Sequence, residues 1–361
     1  MKTQNKDCNA TIDACRYCFM CRHACTSGLV TATESNTPRG RALALFNVRE
    51  QHTAYDPSLT ETIYNCTLCG ACKQWCEGKF DMPALVIATR EKIASNGQPP
   101  AWARTIRQSL LQQQDFSQQD LPEKKADVLF YLGVQPHPRA GEILKHFSKI
   151  MSAAGIPFQT FKREPDHGKI LQLLGYVDDA KKNASILHAQ ISKTSCSVVV
   201  TPDILACLAL KNEFPSWGLA LEPKIKVFHV SEYLLQLAQQ KKIQLKKETR
   251  TVTLADSELA SDPQGPAAAA RQLLRLTAGD CFRELPKPEN LVLATGEAAF
   301  GMEVDCRPVA NLKETLEKRI AAAARQAGAE KIIMLSPRTA ASPSCDGIPR
   351  QDILEWFAEL I

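Results

Sequence analysis

Two runs of cysteine, CRYCFMCRHAC at 15–25 and CTLCGACKQWC at 66–76, share the spacing C-x2-C-x2-C-x3-C. The first offers Cys15, Cys18, Cys21 and Cys25, the second Cys66, Cys69, Cys72 and Cys76. Thiolates at this spacing suit [4Fe–4S] cubes. A tight loop brings three of them to three corners of one cube, and the fourth, beyond a longer step, reaches the other cube in two-cluster ferredoxins. The spacing therefore assigns Cys15, Cys18, Cys21 and Cys76 to one cluster and Cys66, Cys69, Cys72 and Cys25 to a second. Disulfides fit poorly, because neighbouring cysteines on loops this short cannot pair with good geometry. Zinc is the serious rival, since C-x2-C pairs build zinc knuckles. A tetrahedral ion needs only two close pairs, however, and leaves a third cysteine surplus in each run.

The rest of the chain must position these loops. With 361 residues it is long enough for two or three domains. Of its 14 cysteines, nine fall in the first 76 residues, at a spacing that speaks for metal and against a disulfide scaffold. The start, MKTQNKDCNA, lacks the apolar core of a signal peptide, so the expected compartment is the cytoplasm. No apolar run reaches the length of a membrane span; the best, around 197–210, is broken by Pro202 and Asp203. Contact with the inner face of a membrane would need a partner. The formal charge of +5 is nearly cancelled by two clusters at about −2 each, so nucleic-acid binding is not expected.

Residues 1–14 are polar and read as loose, with Cys8 an unligated thiol. Arg16, Arg22 and His23 in the first loop either raise the potential of an anionic cluster or point to solvent. Pro38 opens a helix whose apolar face is Ala42, Leu43, Leu45, Phe46 and Val48. Residues 57–64 read as a short helix into the second motif, and MPALVIATREKIASNG as a helix ended by Gly97. Helices between and after the motifs predict an α-helical two-cluster domain and not the small β-rich ferredoxin.

These segments carry a resemblance. CRYCFMCRHACTSG, NTPRGRALAL, CTLCGACKQWCEG and ATREKI are similar to the iron–sulfur subunit of glycolate oxidase, to anaerobic glycerol-3-phosphate dehydrogenase small subunits and to heterodisulfide-reductase iron–sulfur subunits. Pro-Arg-Gly-Arg at 38–41 matches the glycolate and lactate branch best. Where that family has proline after each fourth cysteine, this chain has Thr26 and Glu77, and a carboxylate at 77 should lower the potential of the adjacent cluster.

After a polar connector at 101–125 the texture changes. DVLFYLGV, IPFQTF and CSVVVTP read as strands alternating with helices over GEILKHFSKIMSAAG and GYVDDAKKNASILHAQISKT. TRTVTLAD, LVLATG and KIIMLSP then alternate with helices over 267–276 and 312–328 and a terminal helix. The expected fold is α+β overall: residues 1–100 an α-helical ferredoxin-like domain with two clusters, 126–250 and 251–361 two similar α/β lobes with parallel sheets. The plan resembles the paired cysteine-rich (CCG) domains of the same family, but the diagnostic cysteines are replaced. The corresponding positions hold Gly133-Val134, Asp166-His167-Gly168, Asp203–Ala206, the stretch near Ala255–Glu258, Ala294-Thr295-Gly296 and Ser336-Pro337-Arg338-Thr339.

Cys196, Cys207, Cys281, Cys306 and Cys345 stand at no ligand spacing, and Cys196 and Cys207 read as small apolar residues beside a strand. Asp166 and His167 read as a cap or surface pair, with a metal or proton site as the sharper alternative. VLATGEAAFG lacks the G-x-G-x-x-G of a dinucleotide site. No catalytic residue emerges. The resemblance implies an electron-transfer subunit whose partner is a flavoprotein dehydrogenase of 2-hydroxy-acid or glycerol-3-phosphate type and whose acceptor is a quinone or a membrane-associated protein. A thiol–disulfide subunit and a zinc-stabilised scaffold are the alternatives.

Overall fold

The structure, a computed structural model, describes residues 8–78, 80–112, 125–133, 139–260, 264–286, 312–340, 344–345 and 347–361. Val134, the LVLATG segment with Ala294, Thr295 and Gly296, and Cys306 lie outside the described residues, as do residues 113–124 of the connector; the side chain of Cys345 is likewise not described.

The first part is helical: α1 Cys8–Asp13, α2 Thr26–Thr31, α3 Pro38–Arg49, α4 Pro57–Tyr64, α5 Ala71–Gln74, α6 Met82–Ser95 and α7 Ala101–Leu111. Three of these helices start alike, with a capping side chain followed by proline. Thr37 accepts from the Gly40 amide, Asp56 from Leu59 and Asp81 from Ala84, just before or beside Pro38, Pro57 and Pro83. Within the stretch 1–14 expected to be loose, Cys8–Asp13 forms α1 instead, with Ile12 turned inward and buried. Helix α7 falls in the expected connector, yet its Trp102 sits edge-on to Tyr64, 5.7 Å between ring centres.

Among the described residues eight strands follow: β1 Val128–Phe130, β2 Phe158–Thr160, β3 Val198–Thr201, β4 Lys226–His229, β5 Val252–Ala255, β6 Lys331–Met334, β7 Ser344–Cys345 and β8 Ile348–Asp352. The helices among them are α8 Ala140–Ala153, α9 Lys169–Leu173, α10 Val177–Ser192, α11 Ile204–Leu208, α12 Phe214–Ser216, α13 Val230–Gln239, α14 Pro266–Ala278, α15 Leu312–Gln326 and α16 Ile353–Glu359. A π turn over Ala209–Glu213 joins α11 to α12. The chain is thus mixed α/β behind a helical N-terminal part.

The first sheet has the order β2-β1-β3-β4, all parallel, with Val128 opposite both Phe158 and Val198. Strands of Val, Leu and Phe that are apolar on both faces fit a parallel sheet covered on each side by helices. The second has the order β5-β6-β8-β7, parallel except for β7. The run β1-β3-β4 of the first sheet recurs as β5-β6-β8 of the second. One apolar core, from Phe147 and Leu234 to Leu273 and Trp356, joins the two sheets. A second core joins the helical part to the first sheet's helices: Ile63, Tyr64, Val86 and Trp102 pack with Leu171, Leu174 and Leu205. Among the described residues no helix is long and apolar enough to cross a membrane.

Candidate metal centre

Both cysteine loops are bent in the same way. The residue before each second cysteine, Tyr17 and Leu68, lies in the left-handed region with φ of 51° and 57°. That conformation is costly for side chains of this size, and its occurrence at equivalent places marks a constrained turn. The bend lets the Tyr17 amide donate to Cys15 Sγ at 3.4 Å. Gly70, also left-handed, starts α5 behind Cys69.

The thiols of the two motifs lie close enough to act on one another. Burial pushes the Cys15 thiol up, and the negative charge that Cys76 and Cys18 would carry pushes the same way. Burial raises Cys21 to about 11, with Cys15 and Cys18 adding to it. Burial drives Cys72 well above the ordinary range, and Cys66, Cys69 and Cys25 add more than Cys21 does. Burial lifts Cys69 to about 11 against the pull of the Thr67 side chain and the Ala71 amide. The loop past Cys76 lies against the first motif, for a side chain at Gly78 would come within 2.7 Å of the Ala14 carbonyl. The loop past Cys25 lies against the second, with Thr26 Oγ1 3.9 Å from Cys69 Sγ.

Among the described residues, no three His, Cys, Asp or Glu side chains converge on a point where one metal ion would sit. The ligands of a tetrahedral zinc stand about 3.8 Å apart. The donor set is all sulfur, with backbone amides aimed at it: Gly28 donates to Cys25 Sγ and Phe80 to Cys76 Sγ, each at 3.4 Å. Such amides stabilise sulfur-bound negative charge and raise cluster potentials.

Two buried arginines hold the loops, and neither was singled out from sequence as a positioning residue. Arg41 donates to the carbonyls of Thr62 at 2.8 Å and Asn36 at 2.6 Å and to Ser27 Oγ at 3.1 Å. It thereby ties the stretch after Cys25 to the helix before Cys66. Arg90 donates to the carbonyls of Cys66 at 2.7 Å, Tyr64 at 3.1 Å and Leu173 at 2.9 Å. Burial brings its guanidinium down to about 10. The signal was a charged residue on an otherwise apolar helical face. Arg39 donates to the Tyr17 carbonyl at 2.7 Å and pairs with Glu34. Gly40 leaves room for α3 to pass the turn over 34–36, since a Cβ there would lie 2.1 Å from the Glu34 carbonyl oxygen. These contacts account for Pro-Arg-Gly-Arg locally. Of the loop cations, Arg16 is exposed, Arg22 is exposed and paired with Glu34 at 3.3 Å, and His23 meets Trp75 of the second motif edge-on at 4.3 Å. Glu77 is exposed, and Cys8 is half-buried.

Several of the positions compared above with cysteine motifs, Gly133, His167 and Asp203 among them, come together in a buried ionic group. Asp166 Oδ1 accepts from the Gly168 amide and from Asn183, which is a cap. His167 is not at the surface: it is fully buried, with Nε2 3.5 Å from Asp203 Oδ2. Asp203 follows β3 and also pairs with Arg338, beyond β6, at 3.1 Å. Burial would push the Asp203 carboxyl up, but Arg338 and His167 outweigh it and hold it at about 2. Glu164 accepts from the amides of Leu132 and Gly133 at the end of β1, and burial raises it to about 7. Gly133 is obligatory here, with φ of 79° and Asp203 Cβ within 2.9 Å of where a side chain would go. The stretch at 255–258 reaches the second motif, as Glu258 is near enough to act on Cys69. Cys196 and Cys207 are buried and Cys281 is half-buried, and Cys207 lies one helical turn after Asp203, its amide donating to the Asp203 carbonyl at 2.9 Å.

Residues 11–80 match the family model described as a 4Fe-4S dicluster domain. No curated protein matches the sequence. The crystal structure of a hypothetical protein from Helicobacter pylori is similar in fold, at a TM-score of 0.60 and 11% identity, over 88% of this chain and 67% of that one. The chain carries a [4Fe–4S]-binding, iron–sulfur segment, the equipment of electron transfer.

Proposed function

We propose that this chain is the electron-transfer subunit of an oxidoreductase complex, passing single electrons from a flavoprotein dehydrogenase partner to a quinone or another acceptor. Cys15, Cys18, Cys21 and Cys76 hold one [4Fe–4S] cluster and Cys66, Cys69, Cys72 and Cys25 the other. The observation that supports this reading is the match of residues 11–80 to a 4Fe-4S dicluster domain, on two cysteine loops that share the same left-handed bend at Tyr17 and Leu68. Each bound cube supplies storage for one electron at a time. The chain's own residues fix the geometry: Arg41 and Arg90 pin the loops, and the Tyr17, Gly28 and Phe80 amides direct hydrogen bonds at sulfur. The flavin partner belongs to the proposal because two-electron chemistry on an organic substrate needs a cofactor of that kind to split electron pairs.

The domains from residue 126 onward serve as a redox-silent platform of degenerate CCG type. A thiol–disulfide role would need an accessible, ionisable thiol. Cys196 and Cys207 are each 1% exposed, and burial pushes Cys207 up to about 12. Anaerobic purification with iron and acid-labile sulfide analysis tests the proposal. About eight of each per chain is expected for two cubes. Stoichiometric zinc with negligible sulfide would overturn it.

A further inference from the structure

The surface over the first motif is unlike the rest of the described molecule. Phe19 is 60% exposed, Met20 45% and Leu29 49%, and Cys18 beside them is the exposed thiol of the motif. They border a cleft of about 570 Å³ lined by Phe19, Arg22, His23, Gly28, Leu29 and Thr33. The cleft lies close to the buried ligand set. Gly28 in its wall donates to Cys25 Sγ at 3.4 Å, and Arg22 and His23 sit between Cys21 and Cys25, which belong to different thiol groups. Arg39 lies over the Phe19 ring at 4.6 Å, so an exposed aromatic is flanked by planar cations. Such pairs of aromatic and arginine are the residue types that anchor protein contacts.

The charge near the cleft is net positive, three arginines against one carboxylate. Arg16 and Arg22 are exposed, Arg39 is close by, and one half-buried carboxylate, Glu34, is shared by Arg22 and Arg39. Three apolar side chains are too small a patch for a permanent subunit interface, but they are the scale of a transient redox encounter. We propose that an acidic one-electron carrier protein docks here, an apolar contact seated in the cleft beside Phe19 and its carboxylates facing Arg16 and Arg22. This rests on the electron-transfer reading above and names one partner for it. One electron crosses the contact: one protein is oxidised by one electron, the other is reduced by one, no bond is made or broken, and no proton path is needed.

Calorimetric titration of the oxidised holoprotein with oxidised plant-type [2Fe–2S] ferredoxin, an acidic carrier, tests this at low ionic strength, with basic cytochrome c as the contrast. Ferredoxin is expected to bind, more weakly as salt is raised, and cytochrome c not to bind. Arg16→Glu with Arg22→Glu should weaken ferredoxin binding about tenfold or more, as loss of steering charge does. Phe19→Ala should weaken it without changing the salt dependence. Leu276→Ser removes an apolar side chain, 56% exposed, on α14 and should change nothing. No ferredoxin binding, binding indifferent to the Arg16, Arg22 and Phe19 changes, tighter binding of cytochrome c, or a dimer of this chain that Phe19→Ala dissolves would each overturn the proposal. Iron and sulfide are measured on the same samples. Absence of cluster there sinks the electron-transfer reading, whereas a fully loaded protein that ignores ferredoxin sinks the docking site alone.

Discussion

At the scale of single residues, the buried charges are the most exposed to test. Glu164 ionises near neutrality because burial penalises its charge, and Asp203 nearby adds to the penalty. Its folded value, about 7, lies above the ordinary 4.5. The folded state therefore holds a proton that the unfolded chain has lost, and stability falls as pH rises between these values. The effect is roughly 3 kcal/mol in all. Urea unfolding between pH 4.5 and 7.5 should show the decline, and Glu164→Gln should flatten it. A decline that Glu164→Gln leaves intact would place its source elsewhere. Arg41→Lys keeps the charge but loses the fork that grips Thr62, Asn36 and Ser27, and should cost about 2–3 kcal/mol in unfolding free energy at pH 7. The ligand cysteines were legible because their chemistry repeats at fixed spacing. The ionic group was not, since Arg338 and Asp203 meet across 135 positions and no local pattern joins them. His167, read as part of a cap or surface pair, is buried for the same reason: its surroundings come from β3 and the segment after β6.

At the scale of elements, helix starts and strands could be read where the local signal is strong. Thr37-Pro38 and Asp56-Pro57 announce α3 and α4, and runs such as VLF and VVVT announce β1 and β3. Helix α1 escaped because a single inward residue, Ile12, secures an otherwise polar turn. Two glycines in helices give opposite predictions. Gly141 in α8 meets nothing within 4 Å where a side chain would go, so Gly141→Ala should stabilise by about 0.5–1 kcal/mol. Gly40 in α3 faces the Glu34 carbonyl at 2.1 Å, so Gly40→Ala should destabilise by more than about 2 kcal/mol despite the better helix former. Thermal melts of the two variants check this, and a stabilised Gly40→Ala would mean that α3 does not press on the turn before it.

At the scale of the whole molecule, the cysteine-bearing helical part is locked onto the α/β part by Tyr64 and Arg90, which donate to the carbonyls of Leu174 and Leu173. If the second part is a redox-silent platform, replacing Cys196, Cys207, Cys281, Cys306 and Cys345 together by Ser or Ala should leave iron content and electron transfer nearly unchanged, at about 1 kcal/mol for each buried thiol. A folded five-cysteine variant that loses a third metal centre or all turnover would contradict the platform. The crossing of ligands between the motifs is the central claim, and the most direct measurement of it is spin resonance on the reduced Cys76→Ala and Cys72→Ala proteins. The account predicts that Cys76→Ala damages the cluster held by Cys15, Cys18 and Cys21, while Cys72→Ala damages the other. If both variants lose the same signal and spare the same signal, the crossed assignment is wrong.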